Sequence, residues 1–382
     1  MNILLYTHSF APNVGGVETF VARLASELPR VSPDDAFKIT VVTNTPGAGE
    51  TVQRERRQVV RCPGRLGLWR LVGRADIILL AGPAFLPLVF GLLRGKKVVV
   101  THHGYQTICP NGLLFHRPSE SNCPGHYRMK HYFECVRCCG RDASILQGVK
   151  QTVFVFPRRL ACRLAQRNVA VSEHLANRIQ LSNTVVIRNG VPITKNASEF
   201  TYQKSCSRFL FVGRMVVEKG VRVLVDAAKI LRNRGLAFHI LLLGDGPERP
   251  ALEQLSKQPG LQGRVEFAGF KTGRAFETLV NEPSFSVLPS IWEDVAPFAP
   301  LEQMMAGKAM IASDIGGLAE EVEGVALKFP PSDANALADR MQELLQSPAL
   351  AAQLGAKARE RARRSYSEQE MILRYAELLR SL

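Results

Sequence analysis

Short, unbroken runs of aliphatic and β-branched residues alternate with amphipathic segments along the whole chain, and they do so in two series. The first series contains Ile3–Tyr6, Ile39–Thr43, Ile77–Leu80 and Val98–Thr101, with a helical pattern over Val17–Leu28. A strand with one face in water alternates apolar and polar residues. These runs do not, so they read as strands buried on both faces, which is the mark of a parallel sheet. The second series contains Phe209–Val212, a helix over Gly220–Arg234, His239–Leu243 and a helix from Pro247. It continues with Val265–Ala268, Ser284–Leu288 and Met310–Ser313. Two consecutive βαβ series predict an α/β fold of two Rossmann-like, doubly wound domains facing each other across a cleft.

At 382 residues the chain can bury two cores. Residues 1–190 form the expected first domain, interrupted by an insertion at 104–147 that lacks periodicity. The boundary is expected over Asn189–Ser207, where Asn189-Gly190 and a polar stretch break the pattern. Residues 191–365 form the second domain. The helical pattern of Ala351–Leu382 is expected to lie outside the second sheet, with 366–382 able to pack back on the first domain. The longest apolar run, Ile77–Leu93, is broken by Gly82, Pro83 and Pro87. It predicts a buried strand and a core helix rather than a membrane span. With no signal-peptide pattern visible, the expected location is the cytoplasm, and the eight cysteines read as thiols or metal ligands.

The charge is lopsided. Residues 1–190 carry 25 basic against 11 acidic residues, a net +14, while residues 191–382 carry about +1. One half therefore faces something anionic. An anionic membrane surface is the favoured candidate. Nucleic acid is disfavoured because no recognised binding module is present.

Three constellations carry chemistry. The first is Phe10 to Glu18, with Gly15 and Gly16 between a strand and a helix, where backbone N–H groups can approach an anion. A plain tight turn explains those glycines about as well. The second is Gly213-Arg214 to Lys219-Gly220, at the corresponding place in the second series. Two fixed cations at a strand's carboxyl end suit a departing diphosphate better than they suit ordinary solvated surface. The third runs from Pro289 to Gly307 and contains Glu293, Asp294, Pro297, Pro300 and Glu302. Pro300 and Glu302 predict the first turn of a helix, where a carboxylate is favoured and can accept ribose hydroxyls. Ordinary capping is the bland alternative.

In this order and spacing the segments resemble retaining glycosyltransferases of family 4, which have the GT-B fold. Further matches are Asn189-Gly190-Val191, Gly244-Asp-Gly-Pro247 and Ala312-Ser-Asp-Ile-Gly-Gly317 with Glu320. The resemblance implies a hexosyl transfer from a UDP or GDP sugar, with retention and without a metal ion or other cofactor. It assigns Arg214 and Lys219 to the donor diphosphate, Glu302 to the ribose, and Gly15, Gly16, Gly244, Glu293 and Pro297 to the donor site. Asp294 falls where the family usually has Glu, against the transferred sugar. His103 aligns with a family histidine near that sugar, although Gly104 follows where Asp is common. The acceptor is left open, with a lipid-linked or polysaccharide acceptor of cell-envelope synthesis favoured. A sugar-nucleotide epimerase and a non-catalytic sugar-nucleotide binder are the rivals.

Two other features stand apart. Cys109, Cys123, Cys135 and Cys138 could supply four thiolates to a structural zinc, or simply pack the insertion as free thiols. Arg65–Arg74 and Lys150–Arg167 both read as basic amphipathic helices suited to an anionic membrane, or as core helices with a solvated basic face.

Overall fold

The computed structural model describes residues 1–31, 37–48, 50–52, 56–141, 144–193, 207–282 and 285–382. The polar stretch 194–206 and Ser284 lie outside the described residues. The chain divides into two compact units. One comprises Met1–Pro118, Cys123–Gly190 and Glu368–Leu382, the other Ser119–Asn122 and Val191–Ser367.

The sheet of the first unit is built from β1 (Asn2–Thr7), β2 (Lys38–Thr43), β3 (Glu50–Val52), β4 (Arg57–Arg61), β5 (Ile77–Ala81), β6 (Lys97–His102), β7 (Arg167–Ala170) and β8 (Thr184–Val186). Their order is β8-β7-β6-β5-β1-β2-β4-β3, all parallel except β3, which runs antiparallel to β4. Its helices are α1 (Gly16–Glu27), α2 (Gly64–Arg74), α3 (Phe85–Leu93), α4 (Tyr132–Gly140), α5 (Ile145–Arg163) and α6 (Glu173–Ile179). The central strands β1, β5 and β6 are buried on both faces, as their unbroken apolarity requires.

The second unit holds β9 (Arg208–Val212), α7 (Val221–Asn233), β10 (His239–Leu243), α8 (Arg249–Ser256), β11 (Val265–Gly269), α9 (Gly273–Asn281), β12 (Phe285–Leu288), α10 (Phe298–Ala306), β13 (Met310–Ser313), α11 (Gly316–Glu321), β14 (Leu327–Phe329), α12 (Ala334–Gln346) and α13 (Pro348–Ser365). Its sheet is fully parallel in the order β11-β10-β9-β12-β13-β14. The strand order reverses between β9 and β12. Loops leaving the carboxyl ends of those two strands therefore flank the crevice in which doubly wound sheets take their ligands.

The terminal helical pattern is broken. A final helix, α14 (Glu368–Arg380), is separated from α13 by Tyr366-Ser367 and belongs to the first unit. The break has a local cause, since Val191 N–H donates to the Tyr366 carbonyl (2.9 Å) and Val191 bridges Ser367. The apolar face of α14 then buries Met371, Ile372, Tyr375 and Leu379 in the first unit. Among the described residues no helix is long and apolar enough to cross a membrane.

Candidate functional site

The site in the second unit is made by loops that glycines allow to touch. Gly244 has φ +142, and a Cβ there would lie 1.9 Å from the Gly213 carbonyl oxygen. Gly220, at φ +64, would put a Cβ 2.0 Å from the Pro289 carbonyl oxygen. Neither position admits a side chain. The loops after β9, β10 and β12 thus close on one another, and backbone bonds hold them: Met215 N–H to the Asp245 carbonyl (2.8 Å) and Ile291 N–H to the Glu218 carbonyl (3.0 Å).

Lys219 ends a single 3-10 turn, Val217–Lys219, just ahead of α7. Its ammonium donates to the Asp294 carboxylate, so these two sequence-selected residues form one ion pair. The pair is largely dry, with side-chain exposures of 20% for Lys219 and 7% for Asp294. Trp292 lies beneath the ammonium, 5.7 Å from nitrogen to ring centroid. The Asp294 loop is pinned from behind: Gly317 N–H donates to the Asp294 carbonyl (2.6 Å), and the Ser313 hydroxyl donates to the carbonyls of Leu288 (3.1 Å) and Ser290 (2.6 Å). Asn122 caps it too, donating to the Ile291 carbonyl (3.0 Å) and accepting from Glu293 N–H (3.1 Å). Nothing in the 104–147 insertion marked Asn122 beforehand, because a lone Asn in an aperiodic loop carries no pattern.

Pro297 is the N-cap of α10, in extended conformation. The helix begins at Phe298. Pro300 is consequently the third helical residue, where its missing N–H still costs nothing, and Glu302 stands in the second turn instead of the first. The dipole's help to a Glu302 carboxylate is correspondingly smaller. Arg214 follows β9 and borders a cavity of about 230 Å³ lined by Val212, Leu243, Gly244, Phe270 and Phe276. Two aromatic rings and peptide backbone make a slot suited to a planar base.

One carboxyl group was missed altogether. Glu321 is 2% exposed, and its Oε2 has no hydrogen-bond partner. Burial, reinforced by the neighbouring charges of Asp294 and Glu320, holds it well above the usual carboxylate range, against the opposing pull of Lys219 and Arg361. Its carboxyl group is thus biased toward the protonated form by its place beside Asp294 and Lys219.

In the first unit, Gly15 caps α1 and Gly16 opens it. A Cβ on Gly15 would lie 2.4 Å from a Glu18 carboxylate oxygen, so the helix N-terminus already faces an anion of its own. His103 follows β6, edge-on to Phe20 at 4.6 Å between centroids. Burial, with His102 beside it, pushes its pKa down to about 3, and its Nε2 has no partner. It is a neutral imidazole that can exchange hydrogen bonds with a hydroxyl. His102 bonds Asn168 (2.9 Å) and is likewise neutral, its pKa lowered to about 4 by burial. A cavity of about 270 Å³ opens at this sheet's own reversal point, lined by Thr7, His8, Glu18, Gly82, Gln106 and Arg158.

The zinc expectation is not met by this geometry. Cys109, Cys123, Cys135 and Cys138 are all buried. Among the described residues, however, no group of three or more His, Cys, Asp or Glu is arranged to hold a metal ion. Asn111 instead ties two of the thiols, accepting from Cys109 (3.0 Å) and donating to Cys138 (3.3 Å). Burial pushes the Cys109 and Cys135 thiols up to about 12.

The sequence profile described as Glycosyl transferases group 1 matches residues 206–347. An uncharacterized glycosyltransferase of Methanocaldococcus jannaschii is 30% identical over 272 residues, 70% of each chain. The chain belongs to this glycosyltransferase family. Alpha-D-kanosaminyltransferase of Streptomyces kanamyceticus is 34% identical to this chain over 143 residues, 37% of each chain, so the match spans little more than a third of that relative. The crystal structure of Anabaena Alr3699/HepE in complex with UDP and glucose has a TM-score of 0.72 at 19% identity, covering 100% of this chain and 99% of that one. That likeness establishes the glycosyltransferase fold as GT-B.

Proposed function

We propose that this glycosyltransferase moves a hexose from a nucleotide-diphosphate sugar to an anionic acceptor, with retention of configuration and without a metal ion. The observation that carries the reading is the Lys219–Asp294 pair, held dry by glycine-closed loops at the reversal point of the second sheet. Lys219 and Arg214 supply the charge that stabilises the departing diphosphate, the work a divalent cation performs elsewhere. Asp294, oriented by Lys219, accepts hydroxyls of the transferred sugar, and Glu302 accepts those of the ribose. The slot beside Gly244 takes the base of UDP or GDP. Neutral His103 serves as a hydrogen-bond partner for a sugar hydroxyl, with no enzymic nucleophile required. Catalysis then rests on positioning and electrostatics.

The +14 charge of residues 1–190 supports a lipid-linked or polysaccharide acceptor, met by a peripheral enzyme at an anionic membrane surface. A panel of UDP, GDP and ADP sugars, followed by nucleoside-diphosphate release, tests the donor side. Glu302→Ala is expected to lower turnover of the preferred donor at least about a hundredfold. Unchanged turnover would remove Glu302 from the site, and donor isomerisation without release would favour an epimerase.

A further inference from the structure

The two basic helices that looked alike in sequence differ in the fold. In α2 the apolar side chains turn inward: Leu68 and Val72 are buried, the Arg94 guanidinium covers Trp69 at 4.1 Å, and Leu66 alone is strongly exposed. In α5 they point out. Ile145, Leu146, Val149, Val153, Phe156, Leu160 and the following Leu164 are between 41% and 79% exposed. Ile145, Val149, Val153, Phe156, Leu160 and Leu164 succeed one another at intervals of three or four residues, so they form a single stripe. The opposite face of α5 is already occupied, because Gly148, Thr152, Val155 and Cys162 are buried. A Cβ on Gly148 would lie 2.4 Å from the Val136 carbonyl oxygen of α4, so the backbones meet there. Among the described residues of this unit the stripe has no counterpart to cover.

Its flanks are all of one sign. The helix carries Lys150, Arg158, Arg159 and Arg163 and no acidic residue. At 19 residues with four cations it is not apolar enough to cross a membrane. Arg158, on the inward side, donates to the Gln106 carbonyl (3.1 Å) and lines the cavity at the first sheet's reversal point.

We propose that α5 seats the first unit on an anionic lipid surface, its apolar stripe in the headgroup region and Lys150 and Arg163 against lipid phosphates. Through Arg158 the same helix borders the cavity that receives a membrane-borne, phosphate-bearing acceptor. The occupant is a bilayer because a continuous apolar arc with purely cationic edges complements anionic headgroups over acyl chains. The acceptor clause rests on the transferase reading, whereas the seat does not, and the test separates them.

The intact protein is sedimented with phosphatidylglycerol-containing and with pure phosphatidylcholine vesicles, without donor. The expected result is binding to the anionic vesicles that falls with added salt. In Val153→Ser/Phe156→Ser, and separately in Lys150→Ser/Arg163→Ser, that binding drops at least about tenfold, while donor hydrolysis stays at the wild-type rate. Wild-type binding by both variants, or equal binding to neutral vesicles, overturns the proposal. So does an apolar variant that dissociates a dimer in sedimentation velocity, which would make the stripe a contact between copies. Loss of donor hydrolysis in the wild type would instead sink the transferase reading and leave the seat standing.

Discussion

Replacing Lys219 by Met removes the cation and keeps most of the side-chain volume. Asp294, with 7% of its side chain exposed, is then an unpaired carboxylate in a nearly dry loop. Orphaning one member of a fully buried pair costs about 3–5 kcal/mol. Lys219 keeps 20% of its side chain in contact with solvent, which lowers the expectation to about 2–3 kcal/mol. For a unit of this size that is a fall in Tm of roughly 4–12 °C. Adding Asp294→Asn removes the orphaned charge, so the double variant is expected to recover at least about half of the loss. Transfer is expected to stay at least about a hundredfold down in both variants, because the diphosphate has lost a cation. Urea unfolding of the two single variants and the double gives the coupling, and nucleoside-diphosphate release gives the activity. A double variant no more stable than Lys219→Met would refute the pair. Full activity in Lys219→Met would refute its role at the diphosphate.

Other expectations follow from the same geometry. Gly244→Ala places a methyl 1.9 Å from the Gly213 carbonyl oxygen at φ +142, so it should cost more than about 2 kcal/mol and raise the donor KM by moving Arg214. A Gly244→Ala enzyme with unaltered KM and Tm would mean that the two loops do not meet. Glu321 binds its proton more tightly folded than unfolded, so its contribution to stability is present at low pH and is lost as pH rises from about 4.3 through the raised folded value. Glu321→Gln should therefore show a smaller loss of stability between pH 5 and 8 than the parent, and parallel pH curves would exclude a Glu321 pKa raised by folding. Among the described cysteines, exposed Cys62 should react with a thiol reagent at pH 8 well before Cys109, Cys135 and Cys162, whose thiols burial pushes up to about 12. Rapid labelling of those three in the folded protein would contradict their burial.

The parallel architecture was legible because doubly buried strands leave unbroken apolar runs, as in Ile77–Leu80 and His239–Leu243. Arg167–Ala170 escaped notice because its buried Asn168 looks polar. Only the fold reveals that this amide donates to the Cys162 and Ser182 carbonyls (3.0 Å each) and pairs with His102, which makes it a good strand residue. In the site, glycines and charges at strand ends could be read directly, since backbone approach and phosphate chemistry restrict residue type. The pairing of Lys219 with Asp294 could not be read, because 75 residues separate them. Glu321 was hidden for a related reason: next to Glu320 it looks like an ordinary solvated acid, and only packing shows which of the two points inward. The outward turn of α5 depends on which face its neighbours occupy, and its composition is silent on that.

The placement of α14 has a consequence for how the chain is made. Tyr375 and Leu379 are wholly buried in the first unit, and the Tyr375 hydroxyl shares a hydrogen bond with Thr101 (3.1 Å) while its ring packs against Phe20 (5.6 Å). During vectorial synthesis the ribosome delivers Phe20 and Thr101 first, then the whole of Val191–Ser367, and only afterwards the helix that covers them. At about 5–20 residues per second, that delay after Gly190 is roughly 10–35 s. The first unit thus closes its core only after Val191–Ser367 has been made, and until α14 emerges Phe20 and Thr101 lack the helix that covers them.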